Sequence, residues 1–488
     1  MAFHLQADSP DSHDWLLLDL SSHDHRDQTI LLSRAKCGIR WELATAGMLR
    51  MGENVRSLSF CGVLRIAVVS PSLDKRHGTE RCVVEEIERL ARTYGHEMHV
   101  YSQRVEDLAG VQRFRARSYT AHWESLAREG GAVFWHKVPE LPGPHLVKYL
   151  WWFAANHVWR WWDRHIRGLR YDLIYSPGIN CLDADVVSVH ILFAKFHPHL
   201  KDQLRLWRNP MQSWLRLLHR RLYYRVIRFL EQRIYPRQEV ALIAVSQKIR
   251  EDVQRHYRRS DPVPVVYHGV DTQHFNPRVR AALRPHARRA LHLSEDILAL
   301  LLIGNDWKKK GLDYLLEAVG RLRIPELRVL VVGRDDPAPY RALIHRLGLN
   351  ERVRFLPPRP DVEFYYAAAD VYVGPSVEDA FALPPMEAMA CGVPVIVSRR
   401  AGVSELITHG VDGLILSDPR NVEELAELIR RIFEDAVWRE YMGRAAVQTA
   451  EQYTWDRHAQ QVNEIFSQLV RQHRSGSPSK GLRARPWR

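Results

Sequence analysis

Residues 373–394 read Val-Gly-Pro-Ser-Val-Glu-Asp-Ala-Phe-Ala-Leu-Pro-Pro-Met-Glu-Ala-Met-Ala-Cys-Gly-Val-Pro. An apolar run of strand type leads into a loop that carries Glu378 and Asp379, and two prolines then open a helical stretch. Proline favours the first turn of a helix and glycine commonly ends one, so we expect a helix that holds Glu387 and stops at Gly392. The N–H groups at the start of such a helix suit an anionic ligand beside the carboxylates.

The same alternation of strands and helices extends on both sides of this stretch. Short β-branched runs recur with helical patterns between them, at 65–70, 99–101, 171–175, 185–190, 241–245, 297–303, 328–332, 353–356, 371–373 and 393–397. Strands that alternate with helices are typical of doubly wound parallel sheets. Residues 262–277, here called the linker, are rich in proline and divide the series into halves. We therefore predict an α/β fold with two doubly wound, Rossmann-like domains facing each other across a cleft that binds the ligand.

Composition narrows the class of protein. The chain has 488 residues, 46% of them hydrophobic and 26% charged, which is typical of a soluble globular protein. A net charge of +13 indicates an anionic partner. The five cysteines, none in a CxxC pair, argue against a disulfide framework and favour a reducing, cytoplasmic setting. We find no secretory signal and no run of about 18 apolar residues that would span a membrane.

The acidic loop and its helix carry the most specific motif. The frame Asp379-Ala-Phe-Ala-Leu-Pro-Pro-Met-Glu387-Ala-Met-Ala-Cys-Gly392 resembles the signature of the family-four retaining glycosyltransferases, which have the GT-B fold and belong to the glycosyl transferases of group 1. The resemblance implies that Asp379 contacts hydroxyls of the donor sugar and that Glu387 binds the nucleotide ribose. It also places Ala380, Phe381, Ala382 and Leu383 in the substrate site.

Two positions depart from that signature. Asp379 stands where the family usually has Glu, and Ala382 replaces the usual Gly. The shorter side chain of Asp379 leaves open whether the preceding Glu378 takes part of the sugar contact, so both are candidate catalytic residues. The alternative is that the acids only cap the helix and complement its first turn.

A second candidate site follows the strand at 297–303. The run Gly304-Asn-Asp-Trp-Lys-Lys-Lys-Gly311 holds three adjacent lysines, which repel one another unless an anion such as phosphate neutralises them. The family resemblance implies that Lys310 binds the donor diphosphate. Asn305 occupies the position of the family's Arg, so Lys308 or Lys309 could supply the missing charge. A solvated lysine-rich turn is the alternative.

Three weaker landmarks come from the first half and the linker. Residues 77–81, His-Gly-Thr-Glu-Arg, resemble the family's Gly-Gly-x-Glu-Arg loop, which implies that Gly78 approaches the donor phosphate and the acceptor. His268 in the linker replaces the family's usual Asn. His190, at the end of a strand, resembles the histidine that faces the sugar, and we expect it to be a hydrogen-bonding partner of the reacting sugar. A lone turn glycine and a structural histidine are the alternatives.

The sequence gives no sign of a metal site. Asp183-Ala-Asp185 has an Asp-x-Asp spacing, but such pairs are common by chance. Lysines can stabilise a leaving diphosphate without a divalent ion. We therefore expect metal independence and no cofactor besides the nucleoside-diphosphate sugar, which is the donor substrate.

Positive charge and aromatic residues concentrate in residues 146–237. Between Lys201 and Arg237, ten basic residues alternate with apolar ones at helical spacing, a pattern of helices that lie on anionic membranes. Tryptophans of the kind enriched at membrane interfaces stand just upstream, at Trp151, Trp152, Trp159, Trp161 and Trp162. The alternative is an ordinary core face with solvated arginines. No nucleic-acid recognition module is present, so no nucleic acid partner is expected.

Together with the family resemblance, these features predict a hexosyltransferase that uses a UDP- or GDP-linked sugar and a hydroxyl acceptor, lipid-linked or part of a cell-envelope glycan. Retention of configuration is what the resemblance implies. It would act in the cytoplasm or on the inner face of the membrane. The alternatives are a non-catalytic nucleotide-sugar-binding scaffold protein and a GT-B nucleotide-sugar epimerase. The predicted organisation is an N-terminal extension expected to be flexible (1–62), an acceptor-side domain (63–262), a donor domain (263–452), a helix that returns to the first domain (453–472) and a disordered basic tail (473–488).

Overall fold

A computed structural model describes residues 15–19, 29–35, 38–44, 62–76, 78–114, 131–195 and 214–475. The chain divides into two units, Met1–Phe60 and Cys61–Arg488. Within the first unit, β1 (Trp15–Asp19), β2 (Thr29–Ala35) and β3 (Gly38–Ala44) form an antiparallel sheet in that order. The sequence pattern did not predict these three strands.

The second unit begins with a seven-stranded parallel sheet of order β12-β11-β10-β4-β6-β9-β8. Its strands are β4 (Arg65–Val69), β6 (Glu97–Ser102), β8 (Val111–Arg113), β9 (Val133–Lys137), β10 (Leu173–Pro177), β11 (Val186–Val189) and β12 (Ala241–Ala244). A separate two-stranded parallel pair joins β5 (Ser72–Leu73) and β7 (Arg104–Val105). The helices of this half are α1 (Gly78–Tyr94), α2 (His145–His165), α3 (Trp214–Ile234) and α4 (Gln247–Tyr257).

A second parallel sheet follows the linker, with the order β15-β14-β13-β16-β17-β18. Its strands are β13 (Leu298–Ile303), β14 (Leu327–Val332), β15 (Val353–Leu356), β16 (Val371–Gly374), β17 (Val395–Ser398) and β18 (Leu414–Leu416). Its helices are α5 (Pro277–Ala290), α6 (Leu312–Leu322), α7 (Ala338–Arg346), α8 (Glu363–Ala368), α9 (Leu383–Ala390), α10 (Val422–Glu434) and α11 (Ala436–Ala450), with a short 3-10 helix at Gly402–Leu406. Every strand of this sheet carries buried apolar residues, as strands covered by helices on both faces must.

The predicted fold class is confirmed: both halves of the second unit are doubly wound α/β sheets. The last helix, α12 (Trp455–Arg474), packs against α1 of the first half rather than against the sheet that precedes it in sequence. Val462, Phe466 and Val470 of α12 share a core with residues of β4 and α1. The packing of α12 on the first half therefore connects the two halves a second time, in addition to the linker.

The topology brings two loops together. β13 and β16 are neighbours in the second sheet, although β14 and β15 lie between them in sequence, so the strand order reverses at this pair. Ligands of doubly wound sheets bind beyond the carboxyl ends of the strands at such a reversal. The lysine loop (residues 304–311) follows β13 and the acidic loop (residues 375–382) follows β16, so both open into the same cleft.

Candidate active site

A glycine allows the lysine loop to touch the acidic loop. Gly311 has φ of 79°, and a Cβ atom there would lie 2.0 Å from the carbonyl oxygen of Pro375. Only glycine fits such a backbone contact at a positive φ. Val377 N–H also donates to the carbonyl of Lys309 at 2.7 Å. The approach places Lys310 Nζ 2.5 Å from Asp379 Oδ2, so two predicted site residues form an ion pair.

Glu378 turns the other way, toward the first half of the unit. Its carboxylate lies 3.0 Å from Lys195 Nζ and 2.5 Å from Lys248 Nζ. Lys195 also contacts Asp252 at 2.7 Å, and Asp252 and Lys248 both belong to α4. Glu378 and Asp379 are adjacent in sequence, but Glu378 bridges the cleft whereas Asp379 pairs within its own half.

Glu387 lies in α9 with 5% of its surface exposed. Its Oε1 accepts a hydrogen bond from Arg81 Nη1 at 2.6 Å, and its Oε2 accepts one from the Tyr366 hydroxyl at 2.6 Å. Burial raises the pKa of Tyr366 well above its usual value, and the nearby carboxylate adds to that shift. Tyr366 is therefore a neutral donor, and both oxygens of Glu387 are engaged.

The residues between the two acids shape the loop. Ala382, at the position of the family's Gly, has φ of 76°. Phe381 is 1% exposed and packs edge-on against His268 of the linker, with ring centroids 5.0 Å apart. The carbonyl of Ala380 is so close to Gly402 that a Cβ atom there would lie 2.2 Å away. Phe381 and Ala380 therefore fix the loop by packing.

Two predicted residues from opposite halves meet at the start of α9. A Cβ atom on Gly78, the first residue of α1, would lie 3.7 Å from Leu383 Cδ1. The predicted role of Gly78 in the substrate site stays a prediction, but the structure does place it beside the acidic loop's helix. Arg81, one turn further along α1, reaches Glu387 from there.

Lys309 and Asn305 of the lysine loop lie nearer the surface. Lys309 Nζ is 2.9 Å from Asp306, and its side chain is 62% exposed. Asn305 accepts a hydrogen bond on Oδ1 from the N–H of Arg334 at 3.1 Å, which ties the lysine loop to the residues that follow β14. The exposed Arg334 is thus a cation at the same edge of the sheet as Asn305, which itself carries no charge.

His190 directly follows β11 and is 6% exposed. Its Nε2 lies 3.0 Å from Ser188 Oγ, and its ring stacks on His268 with centroids 5.3 Å apart. Burial lowers the pKa of His190 to about 4, although the negative charge of Glu86 acts to raise it. At neutral pH, His190 is therefore an uncharged hydrogen-bonding group.

Several charged partners were not predicted. Arg81 belongs to the quoted loop at 77–81 but was not singled out as a site residue, and its spacing from Gly78 is the signal that could have found it. No sequence motif marks Lys195 and Lys248, because they meet Glu378 only where the two halves come together across the cleft. Arg160 and Asp183 form an ion pair at 2.5 Å, and Asp185 accepts from the N–H of Ile174, so both acids of the Asp-x-Asp pair have structural partners.

Within the part of the chain that the structure describes, one buried group of side chains could hold a metal ion. It consists of Cys82, His268 and His458, and it lies behind His190. The three residues are far apart in sequence, so no motif spacing could have pointed to them.

Known proteins match both halves. A model of Glycosyltransferase Family 4 matches residues 76–274, and a model of Glycosyl transferases group 1 matches residues 284–449. Two D-inositol 3-phosphate glycosyltransferases are similar: that of Kribbella flavida is 33% identical over 244 residues, covering 47% of this chain and 56% of the relative. That of Thermobifida fusca is 34% identical over 248 residues, covering 46% and 56%. The chain thus spans less than two thirds of the length of these relatives.

Solved structures share the fold. WaaG, a glycosyltransferase involved in lipopolysaccharide biosynthesis, superposes with a TM-score of 0.63 at 20% identity, covering 82% of this chain and 99% of that one. Sucrose-phosphate synthase from Thermosynechococcus elongatus gives 0.62 at 20% identity, with 84% and 99% covered. Anabaena HepE in complex with UDP-glucose gives 0.58 at 21% identity, with 83% and 100% covered. At these identities the likeness concerns the fold.

Proposed function

Because the chain belongs to the glycosyl transferases of group 1 and has their GT-B fold, we propose that it transfers a hexose from a UDP- or GDP-linked donor to a hydroxyl acceptor with retention of configuration. The observation that carries the proposal is the ion pair between Lys310 and Asp379, at the strand-order reversal of the second sheet. The solved structure of HepE with UDP-glucose adds a precedent for the donor within this fold.

The chemistry of the donor matches the groups that meet at this reversal. Lys310 offers a cation to the diphosphate, whose leaving charge must be stabilised during transfer. When the phosphate takes Lys310, the carboxylate of Asp379 is released to accept hydrogen bonds from sugar hydroxyls. Each oxygen of Glu387 accepts one hydrogen bond, from Arg81 or Tyr366, and has a further lone pair that can accept from a ribose hydroxyl. His190, uncharged at neutral pH, directly follows β11 of the first half and would supply a hydrogen bond to the sugar.

A membrane-linked acceptor fits the surface formed by α2 and α3, here called the aromatic surface. The two helices touch through Tyr149 and Tyr223, whose ring centroids are 5.9 Å apart. Exposed apolar side chains on it are Val147, Leu150, Trp151, Val158, Trp161, Trp162, Leu218, Leu222 and Phe229. Trp152 belongs to the core instead, and Trp159 is partly buried against it. Residues 196–213 of the predicted basic segment lie outside the described residues.

The described helices include none that is both long and apolar enough to cross a bilayer. The aromatic surface combines apolar side chains with exposed arginines on α3, such as Arg220 and Arg225. Aromatic and basic side chains together favour the interface of an anionic membrane. We infer peripheral binding that brings the cleft to a lipid-linked acceptor.

The first experiment is calorimetric titration with UDP-glucose, UDP-N-acetylglucosamine and GDP-mannose. We expect one of them to bind, with affinity reduced roughly 10 to 100-fold in Lys310→Ala and Glu387→Gln, because each removes a charge-assisted contact worth about 1.5 to 3 kcal/mol. Lys148→Ala, at an exposed lysine of α2 outside the two loops, is the matched control. Failure of all three donors to bind would contradict the proposal.

Product analysis then separates the alternatives. A retaining transferase gives a product whose anomeric configuration by NMR equals that of the donor, and it needs an acceptor. Conversion of the donor to another sugar nucleotide without acceptor would indicate an epimerase, and binding without turnover on any acceptor would indicate a scaffold protein. Because the curated relatives are named for D-inositol 3-phosphate, that compound is tested beside lipid-linked acceptors.

A further inference from the structure

Cys82, His268 and His458 converge from three separate segments onto one buried point. Cys82 lies in α1, His268 in the linker and His458 in α12, and one ligand atom of each lies within 4.8 Å of the others. All three are at most 5% exposed. The point is where the two halves and the returning helix meet, outside the ion pairs that line the cleft.

The spacing of the donor atoms suits coordination. Cys82 Sγ lies 3.7 Å from His458 Nε2 and 3.5 Å from Oε1 of Glu86. Two ligands at about 2.0 and 2.3 Å from a tetrahedral zinc ion are about 3.5 Å apart. Cys82 and Glu86 are four residues apart in α1, so they share one face of the helix.

His458 is already oriented as a ligand. Its Nδ1 lies 2.7 Å from the backbone carbonyl of Tyr267. Metal-binding histidines characteristically donate the other ring N–H to such a carbonyl, which leaves the lone pair of Nε2 for the ion. The Nε2 atom lies 3.7 Å from Cys82 Sγ and 2.8 Å from Glu86 Oε1, so the proton that it donates to Glu86 must leave when the ion binds.

His268 provides the independent sign of a missing partner. Its Nδ1 is buried and has no hydrogen-bond partner among the described residues. An unpaired buried nitrogen costs about 1 to 3 kcal/mol, so native structures rarely retain one without a use. A bound ion would satisfy it.

From this geometry we propose that Cys82, His268 and His458 bind one zinc ion that ties α1, the linker and α12 together. Cysteine thiolate and histidine nitrogen are the ligands that zinc prefers in proteins. Binding replaces the proton on the Cys82 thiol and any proton on His458 Nε2, so protons are released and no redox step occurs. The ion takes no part in sugar transfer. Its role is structural, since it fixes the angle at which the two halves face each other.

The test uses the full-length protein, stripped with a chelator and then titrated with Co²⁺ or Zn²⁺. We expect one zinc per chain by elemental analysis after dialysis, and with Co²⁺ a near-ultraviolet thiolate charge-transfer band. The band should vanish in Cys82→Ser and persist in Cys181→Ser, a buried cysteine outside the cluster. A wild-type protein that retains no zinc and shows no band would overturn the proposal, as would a band that survives in Cys82→Ser.

A second variant keeps the test decisive if Cys82→Ser does not fold. His268→Asn introduces the residue usual at this position in the family, so it is compatible with the fold. It should retain the wild-type circular dichroism and lower zinc affinity at least about tenfold, since even partners outside the first coordination sphere are worth about 10 to 100-fold. Unchanged zinc affinity in folded His268→Asn would contradict the assignment of His268 as a ligand.

Discussion

Arg81 Nη1 lies 2.6 Å from Glu387 Oε1 and so joins α1 of the first half to α9 of the second. The side chains are 18% and 7% exposed, which makes this a largely buried pair. Glu378 makes a second link of the same kind through Lys195 and Lys248. Two of the three acids of the site therefore hold the halves together in this arrangement.

Removal of the Arg81 side chain should destabilise the folded protein, because it leaves the carboxylate of Glu387 buried without its cation. Breaking a buried ion pair from one side typically costs about 3 to 5 kcal/mol. We expect Arg81→Ala to lower the free energy of unfolding by that order in urea denaturation. Arg321→Ala is the control: Arg321 pairs with Glu423 on the surface, and its loss should cost less than about 1 kcal/mol.

The pair itself is tested by a double-mutant cycle. Arg81→Ala combined with Glu387→Gln should cost less than the sum of the single changes, with a coupling of about 1 to 3 kcal/mol, because Glu387→Gln removes the uncompensated charge. Strictly additive losses would show that the two side chains do not interact in solution.

Ala382 is predicted to limit stability. A non-glycine residue in the left-handed region costs about 1 to 2 kcal/mol, and Ala382 has φ of 76°. Ala382→Gly should therefore raise the free energy of unfolding by about 1 kcal/mol, measured in urea. Ala282→Gly, exposed inside α5, should lower it by about the same amount, since glycine disfavours a helix. A decrease in the free energy of unfolding in both variants would show that the backbone at Ala382 is not strained.

The sequence predicted the fold through its strands, and one motif defined the candidate site. The frame from Asp379 to Glu387 is local, so its loop and helix could be anticipated, as could the lysine loop that meets it. Lys195 and Lys248 could not, because their role depends on the cleft closing over Glu378. The same holds for Cys82, His268 and His458, which meet only through the path of α12. The strands β1 to β3 were not predicted, although the alternation of apolar and polar residues in Gly38–Ala44 is a signal that could have found β3.

Asp379 and Glu378 should differ sharply in transfer activity. Asp379 pairs with Lys310 at the diphosphate end of the proposed site, whereas Glu378 is held by two lysines of the first half. We expect Asp379→Asn to lower kcat/KM about 100-fold or more, the order found when one stabilising group is removed from an active site. Glu378→Gln should act mainly on stability, with less than about a tenfold change in kcat/KM. The reverse ranking would assign the sugar contact to Glu378.

The aromatic surface predicts binding to anionic vesicles. Trp161 and Trp162 are 53% and 49% exposed, so their replacement by serine removes interfacial anchors without opening the core. Sedimentation with phosphatidylglycerol vesicles should fall at least about tenfold in the double variant, and wild-type binding should fall with added salt. Tyr441→Ser, equally exposed on α11 of the second half, is the matched control. Equal sedimentation with phosphatidylcholine would argue against an electrostatic contribution.

The stability of the first half should depend on pH through a buried histidine in β9. His136 is 4% exposed and stacks on Tyr101, with ring centroids 4.4 Å apart. The charged and titratable groups around it are His99, 2.8 Å from its Nε2, Asp163, 2.6 Å from its Nδ1, and Arg167. Burial lowers the pKa of His136 to about 4, and the hydrogen bond that its Nδ1–H donates to Asp163 opposes that shift only in part.

The sign follows from proton binding. The unfolded chain takes up a proton on His136 near its ordinary pKa of 6.5, while the folded chain resists it until about 4. The stabilisation is therefore complete above pH 6.5 and is lost as the pH falls toward 4, by about 2 kcal/mol at pH 5. His136→Gln should flatten the pH profile of the urea unfolding free energy between about pH 7.5 and pH 5 by this amount. An unchanged slope in His136→Gln would place the pH dependence elsewhere.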